Sequence, residues 1–129
     1  MPQQQTILLV DDDPDQLELT QAVLVRAGHR VRTTTSPLQA LAMLDGVALV
    51  VTDFQMPEMS GVALCDRIKS VAPKVVVIVV TGSGINVAAS AMRAGAWDFL
   101  MKPVEPKLLL AATRQALRRS SATALETST

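Results

Sequence analysis

The feature that most constrains the fold is a run of apolar residues from Ala48 to Val51 that ends in a single acid at Asp53. Consecutive core-type residues, two of them β-branched, predict a short strand buried on both faces, as in a parallel sheet. Pro57 marks the turn that follows. Asp53 is therefore expected at the carboxyl end of a buried strand, the edge where open α/β sheets bind ligands. A lone acid at such a position is usually a solvated loop residue. Evidence for a functional role of Asp53 must therefore come from the residues at the ends of the other strands.

Composition limits the class of protein. A chain of 129 residues is the length of one domain and can bury a core without disulfides. Twelve Lys and Arg balance twelve Asp and Glu, so no net charge attracts nucleic acid or an anionic membrane. One tryptophan and two phenylalanines offer few platforms for stacking bases. We therefore expect this chain neither to bind nucleic acid directly nor to associate with a membrane.

The single cysteine and the N-terminal segment favour a cytoplasmic protein. Cys65 cannot form an internal disulfide and is expected to be a small buried residue. The first apolar segment, 7–10, has the length of a strand and ends at three aspartates, which is unlike a signal peptide or a membrane span.

Strand-like runs alternate with helix-length segments along the chain. The predicted strands are 6–10, 30–35, 48–53, 75–80 and 96–101. The predicted helices are 14–27, 37 to about 45, 61 to the residue before Pro73, 87–94 and 107 to about 119. This alternation predicts an α/β fold in which a five-stranded, doubly wound parallel sheet is covered on both faces. Residues 1–119 form one domain in this interpretation, and 120–129 are a polar tail or the start of a linker.

Helix starts and buried faces can be located more closely. Asp13 and Ser36 each precede a proline and are expected to be N-caps. The apolar faces expected to be buried are Leu64, Ile68 and Val71 in the third helix, and Leu109, Ala112 and Ala116 in the fifth.

Chemically active side chains lie at the ends of four predicted strands. They are Asp11 and Asp12 after the first, Asp53 at the third, Thr81 at the fourth and Lys102 at the fifth. Because the carboxyl ends of parallel strands share one edge of the sheet, these groups are expected to meet. Crowded carboxylates need a cation, and hard oxygen ligands at an open rim suit Mg²⁺. A lysine and a hydroxyl can bind phosphoryl oxygens, so the site suits phosphoryl transfer onto Asp53.

Four segments resemble the receiver domain of bacterial two-component response regulators. They are Leu8-Leu9-Val10-Asp11-Asp12-Asp13-Pro14, Asp53-Phe54-Gln55-Met56-Pro57-Glu58-Met59-Ser60-Gly61, Thr81-Gly82, and Gly95-Ala96-Trp97-Asp98-Phe99-Leu100-Met101-Lys102-Pro103. They occur in the family's order and spacing and span the chain apart from its tail. The resemblance implies a flavodoxin-like (βα)5 fold with strand order 2-1-3-4-5.

The resemblance also implies roles for the residues of the rim. Asp53 would be the phosphoacceptor. Asp12 and Asp53 would bind Mg²⁺ through their carboxylates and Gln55 through its backbone carbonyl, while Asp11 would hold a metal-bound water. The phosphoryl group would come from a partner histidine kinase. The protein would then be a signalling phosphoacceptor rather than a turnover enzyme.

A conformational switch is implied as well. Thr81 and Lys102 would each hold a phosphoryl oxygen, and the Lys102-Pro103 peptide would be cis. Phe99 matches the aromatic that turns inward as Thr81 moves toward the phosphate. The changing surface would be formed by the fourth helix, fifth strand and fifth helix, and phosphorylation is predicted to strengthen any homodimer through it. Candidate residues on or near this surface are Trp97, Arg93, Lys107, Arg114 and Arg118.

Three other classes of protein are alternatives to this interpretation. Haloacid-dehalogenase-type phosphatases also have an Asp-x-Asp loop after a strand, and there Asp11 would be the nucleophile and Asp13 the acid/base. Against this class, no acidic pair follows Lys102 and the chain offers no cap segment. A binding module with this fold that works without phosphorylation would be free to lose its site residues, so the presence of Asp12, Asp53, Thr81 and Lys102 argues against it. Flavin binding would need a glycine- and hydroxyl-rich loop after the first strand, where three carboxylates stand instead.

Overall fold

The computed structural model describes residues 5–82 and 85–127, and five strands alternate with five helices in them. The elements are β1 (Thr6–Val10), α1 (Pro14–Arg26), β2 (Arg30–Thr34), α2 (Pro37–Leu41), β3 (Val47–Asp53), α3 (Gly61–Val71), β4 (Val76–Thr81), α4 (Ile85–Arg93), β5 (Asp98–Met101) and α5 (Pro106–Thr127). All the strand pairs are parallel, and the order is β2-β1-β3-β4-β5. The predicted fold class and strand order are confirmed.

The three central strands, β1, β3 and β4, are buried on both faces, as their continuous apolar runs predict. Alternate residues of β1 enter two separate core clusters. On one face of the sheet, Leu8 and Val10 pack with α3 residues such as Leu64 and Ile68. Ile7 and Leu9 pack on the opposite face with residues of α1 and α5. Since side chains alternate along a strand, one run of apolar residues serves both layers.

The local signals for helix starts are confirmed by hydrogen bonds. The carboxylate of Asp13 accepts from the backbone N–H of Asp15 at 3.0 Å, and the hydroxyl of Ser36 accepts from that of Gln39 at 3.2 Å. Cys65 is fully buried, as expected. Within the described ranges, no helix is long and apolar enough to span a membrane.

Four predictions about element limits are wrong, and the first is the start of α4, which lies at Ile85 rather than 87. Helix α2 ends at Leu41 rather than near 45, because Ala42 and Met43 donate to carbonyls three residues back and tighten the chain into turns. Helix α5 continues to Thr127 rather than ending near 119, since no glycine or proline interrupts it. Strand β5 begins at 98 rather than 96.

One predicted core residue is also wrong. Val71 is 67% exposed, whereas Leu64 and Ile68 on the same helix are fully buried. Val71 is the last residue of α3 and lies outside the core cluster that covers the other two.

Candidate functional site at the carboxyl edge of the sheet

The carboxyl edge of the sheet carries the polar residues singled out from the sequence. Asp53 is the last residue of β3 and pairs in register with Val80 of β4. Asp11 directly follows β1, and its backbone N–H donates to the carbonyl of Thr34 at 3.3 Å. Lys102 directly follows β5, and its N–H donates to the carbonyl of Thr81 at 2.8 Å. Backbone pairing therefore fixes where each of these side chains starts.

Asp53 and Lys102 form an ion pair at this edge. The Nζ of Lys102 lies 2.7 Å from Oδ1 of Asp53, whose side chain is only 8% exposed. Partial burial of Lys102 acts to lower its pKa, but the hydrogen bond to Asp53 and the charges of the neighbouring carboxylates outweigh that effect and raise the pKa. Lys102 therefore stays cationic beside the buried carboxylate.

Three carboxylates crowd around this pair. Oxygen atoms of Asp11, Asp12 and Asp53 all lie within 4.8 Å of one another. The pKa of Asp11 is raised, chiefly by burial and further by the charges of Asp53 and Asp12, although the N–H of Asp13 and the charge of Lys102 oppose this. One ammonium does not balance three carboxylates, so the cluster retains excess negative charge. Hard oxygen donors at this spacing fit a Mg²⁺ ion.

The loop after β3 holds Asp53 against the sheet. The N–H of Phe54 donates to the carbonyl of Val80, and the N–H of Gly61 donates back to the carbonyl of Phe54, both at 2.8 Å. A Cβ at Gly61 would lie 2.3 Å from the carbonyl oxygen of Asp53, so only glycine allows this close approach. Met56 of this loop is buried and packs in the core cluster that contains Leu64 and Ile68.

The remaining site candidates lie around the cluster. Thr81 ends β4 and is 1% exposed. Phe99 is partly buried on β5 opposite Val79, two register positions from the Thr81 pair. Gln55 is exposed in the loop after β3. The expected cis peptide between Lys102 and Pro103 is present.

The structure shows the surroundings of two candidate surface residues, Trp97 and Arg114. Trp97 is 41% exposed, and the guanidinium carbon of Arg119 lies 5.8 Å from its ring centroid, a neighbour that the sequence did not indicate. The pKa of His29, which follows α1, is lowered by burial and then by the charge of Arg114. The side chain of His29 is partly buried.

Sequence reasoning missed a cleft beside the site, between α1 and α5. It is bounded by Asp11, Asp53 and Lys102 at one end and by apolar side chains of both helices. Its volume depends on the spacing between two helices, which no local sequence pattern encodes.

The fold and this edge together define a class: a doubly wound α/β domain with an acidic, lysine-paired site at the strand ends. The family model described as response regulator receiver domain matches residues 7–114. The chain belongs to this family.

Relatives and solved structures agree with the family match. The chain is 38% identical over 117 residues to the phosphoglycerate transport system transcriptional regulatory protein PgtA of Salmonella typhimurium, covering 88% of this chain and 28% of that protein. It is 38% identical to the transcriptional regulatory protein FixJ of Azorhizobium caulinodans, covering 94% and 59%. It spans about a quarter of the length of several such regulators.

Two solved receiver structures show the same fold. A CheY-like receiver domain protein from Methanospirillum hungatei superposes with a TM-score of 0.87 at 28% identity, covering 94% of this chain and 99% of that one. The receiver domain of NtrX from Brucella abortus gives 0.82 at 36% identity, covering 87% and 98%.

Proposed function

We propose that this chain is a phosphoacceptor that takes a phosphoryl group from a partner histidine kinase onto Asp53. The observation that carries the proposal is the nearly buried Asp53 carboxylate, held 2.7 Å from Lys102 within a cluster of three carboxylates. The protein then acts as a signalling component rather than as an enzyme with turnover. We propose residues 1–119 as the receiver domain and 120–129 as a tail or the start of a linker, because Leu117 is the last residue of the core cluster among those whose burial the structure describes.

The residues at the carboxyl edge of the sheet have different roles in the proposed phosphoryl transfer. An oxygen of Asp53 attacks phosphorus while the bond from phosphorus to the histidine nitrogen of the kinase breaks, and that nitrogen keeps the electron pair. The fixed ammonium of Lys102 neutralises charge on a phosphoryl oxygen. Mg²⁺ would be held by the carboxylates of Asp12 and Asp53 and the carbonyl of Gln55, with Asp11 contacting it through water. When bound, the ion neutralises phosphoryl charge.

The proposed signal is a change of packing near β4 and β5. A phosphoryl group adds about −1.5 to −2 charge and three acceptor oxygens beside Thr81 and Lys102. Thr81 moves toward the phosphate and Phe99 turns inward, so the contacts favour one of two packings. The surface of α4, β5 and α5 changes with them, and phosphorylation strengthens any homodimer formed there. Nucleic acid and membranes are not proposed as direct partners.

A fluorescence experiment tests the acceptor. We would add Mg²⁺ with acetyl phosphate or beryllofluoride and follow Trp97 emission in the wild type, in Asp53→Asn and in the control Asp66→Asn, whose carboxylate is exposed on α3. We expect a Mg²⁺-dependent change in the wild type and the control, and none in Asp53→Asn. The mass of the protein treated with acetyl phosphate should rise by one phosphoryl group.

Two results would contradict the proposal. No change and no covalent phosphate would support a module that works without phosphorylation. A phosphate mapped to Asp11 would support the phosphatase mechanism.

A further inference from the structure

The loop between β1 and α1 orients the side chain of Asp11 with a backbone hydrogen bond. The N–H of Asp13 donates to Oδ1 of Asp11 at 3.0 Å. The backbone of Asp11 is held as well, because its own N–H donates to the carbonyl of Thr34 at the end of β2. With the backbone held and one carboxylate oxygen bonded, the direction of the second oxygen is set too. The orientation of the Asp11 carboxylate therefore depends on where the N–H of Asp13 points.

Asp13 is itself held by the start of α1. It is the N-cap of this helix, with an extended backbone (φ −96°, ψ 108°), and its carboxylate accepts from the N–H of Asp15 at 3.0 Å. Its carbonyl accepts from the N–H of Leu17 at 3.1 Å. These two bonds stabilise the backbone conformation in which the N–H of Asp13 is directed at Asp11. The side chain of Asp13 thus acts on Asp11 through the helix start.

The loop between β2 and α2 has the same local arrangement. Ser36 is the N-cap of α2 and precedes a proline, as Asp13 does, and its N–H donates to Oγ1 of Thr34 at 3.2 Å. In each loop, the N-cap residue therefore binds the side chain two residues before it. In the first loop that side chain is Asp11, a member of the carboxylate cluster, whereas in the second it is a threonine. The two loops allow a cap that acts on the site to be compared with one that does not.

We propose that Asp13 is a positioning residue for the metal site, because its capping of α1 holds Asp11 in the orientation needed to reach Mg²⁺ through water. The inference rests on the proposed function, in which Asp11 has that role. Residues that orient the ligands of a metal commonly change its affinity by about 10- to 100-fold when they are lost. Since Asp11 would contact the ion only through water, we expect an effect at the lower end, about tenfold.

Four substitutions of Asp13 separate its role as a cap from its charge. Asp13→Asn and Asp13→Ser remove the charge but keep a preferred N-cap. Asp13→Glu keeps the charge on a longer side chain that is not a preferred N-cap, and Asp13→Ala removes both. Ser36→Ala is the matched control, because it removes the cap of α2, whose N–H donates to Thr34 rather than to a carboxylate.

Two measurements would be made on each variant at a temperature where circular dichroism shows it to be folded. Titration calorimetry gives the dissociation constant for Mg²⁺ alone. Intact mass gives the rate of phosphorylation by acetyl phosphate over a range of Mg²⁺ concentrations. We expect the dissociation constant and the half-saturating Mg²⁺ concentration to rise about tenfold in Asp13→Ala and Asp13→Glu, while the rate at saturating Mg²⁺ stays within about threefold.

The variants that keep a cap on α1 should bind Mg²⁺ normally. We expect dissociation constants within about twofold of the wild type for Asp13→Asn, Asp13→Ser and Ser36→Ala. Asp13→Ala and Ser36→Ala should both lower the melting temperature by about 4 °C, since each loses one cap. A cap that served stability alone would lower the melting temperature in both and leave Mg²⁺ binding unchanged in both.

Two results would overturn the inference. Unchanged Mg²⁺ binding in Asp13→Ala and Asp13→Glu would show that the cap does not position Asp11. Binding weakened as much in Asp13→Asn and Asp13→Ser as in Asp13→Ala would show that the charge of Asp13 acts instead. Failure of acetyl phosphate to modify wild-type Asp53 at any Mg²⁺ concentration would contradict the proposed function itself, and with it this inference.

Discussion

Lys102 is the residue whose charge the site depends on most directly. Its ammonium lies 2.7 Å from Asp53, and the surrounding carboxylates raise its pKa despite partial burial. Lys102→Met keeps most of the side-chain length but removes the charge that would neutralise the incoming phosphoryl group. We expect phosphorylation by acetyl phosphate to slow by about 10²-fold, the usual effect of losing one preorganised donor. Lys107→Met, on the exposed first turn of α5, should react at the wild-type rate; equal rates for the two variants would contradict the role of Lys102.

Cys65 shows how burial controls reactivity at a single atom. Its thiol is fully buried and donates to the carbonyl of Ala94 at 3.6 Å, and burial raises its pKa to about 11. Only the thiolate is nucleophilic, so at pH 8 the folded protein should react with iodoacetamide at least about 10²-fold more slowly than the urea-unfolded chain. Alkylation rates with and without urea measure this ratio. A ratio near one would show that Cys65 is accessible in the folded protein.

At the scale of elements, the junction of β3 and α3 depends on Gly61. An alanine there would bring its Cβ to 2.3 Å from the carbonyl oxygen of Asp53, so the loop or the strand end must move. We expect Gly61→Ala to lower the free energy of unfolding by about 2 kcal/mol or more, as large backbone conflicts do. Gly82→Ala is the control, because a Cβ there meets nothing within 4 Å. Urea denaturation measures both, and equal midpoints would contradict the close approach.

How far the sequence predicted these elements depended on how local each signal is. Strand β1 and the caps at Asp13 and Ser36 were predicted correctly, because they need only a few neighbouring residues. The end of α5 was missed because the tail lacks a stop signal, and the side chain of Gln5, more than a hundred residues away, bonds to the carbonyl of Leu117. The meeting of Asp11 and Asp53 followed from strand alternation, whereas the α1/α5 cleft depends on packing distances between helices.

At the scale of the whole molecule, the charges are balanced in total but concentrated locally. Net charge is zero, yet Asp11, Asp12 and Asp53 are gathered within 4.8 Å at one edge of the sheet. Bringing these groups together on folding opposes stability when no cation is present, because like charges repel at this distance. A cation that binds only the folded state adds stability in proportion to the logarithm of its concentration.

These two effects predict that Asp12→Asn is more stable than the wild type without Mg²⁺ and less stable than the wild type with Mg²⁺. Without Mg²⁺, Asp12→Asn should raise the melting temperature, since it removes one of the repelling charges. With Mg²⁺ at about a hundred times its dissociation constant, the wild type should gain about 2.7 kcal/mol, and Asp12→Asn should gain much less because it has lost a ligand. Asp66→Asn should follow the wild type in both conditions. Calorimetry with EDTA and with Mg²⁺ would measure the two shifts. A Mg²⁺ gain in Asp12→Asn equal to that of the wild type would show that the ion binds elsewhere, because the stabilisation would not pass through this edge of the sheet.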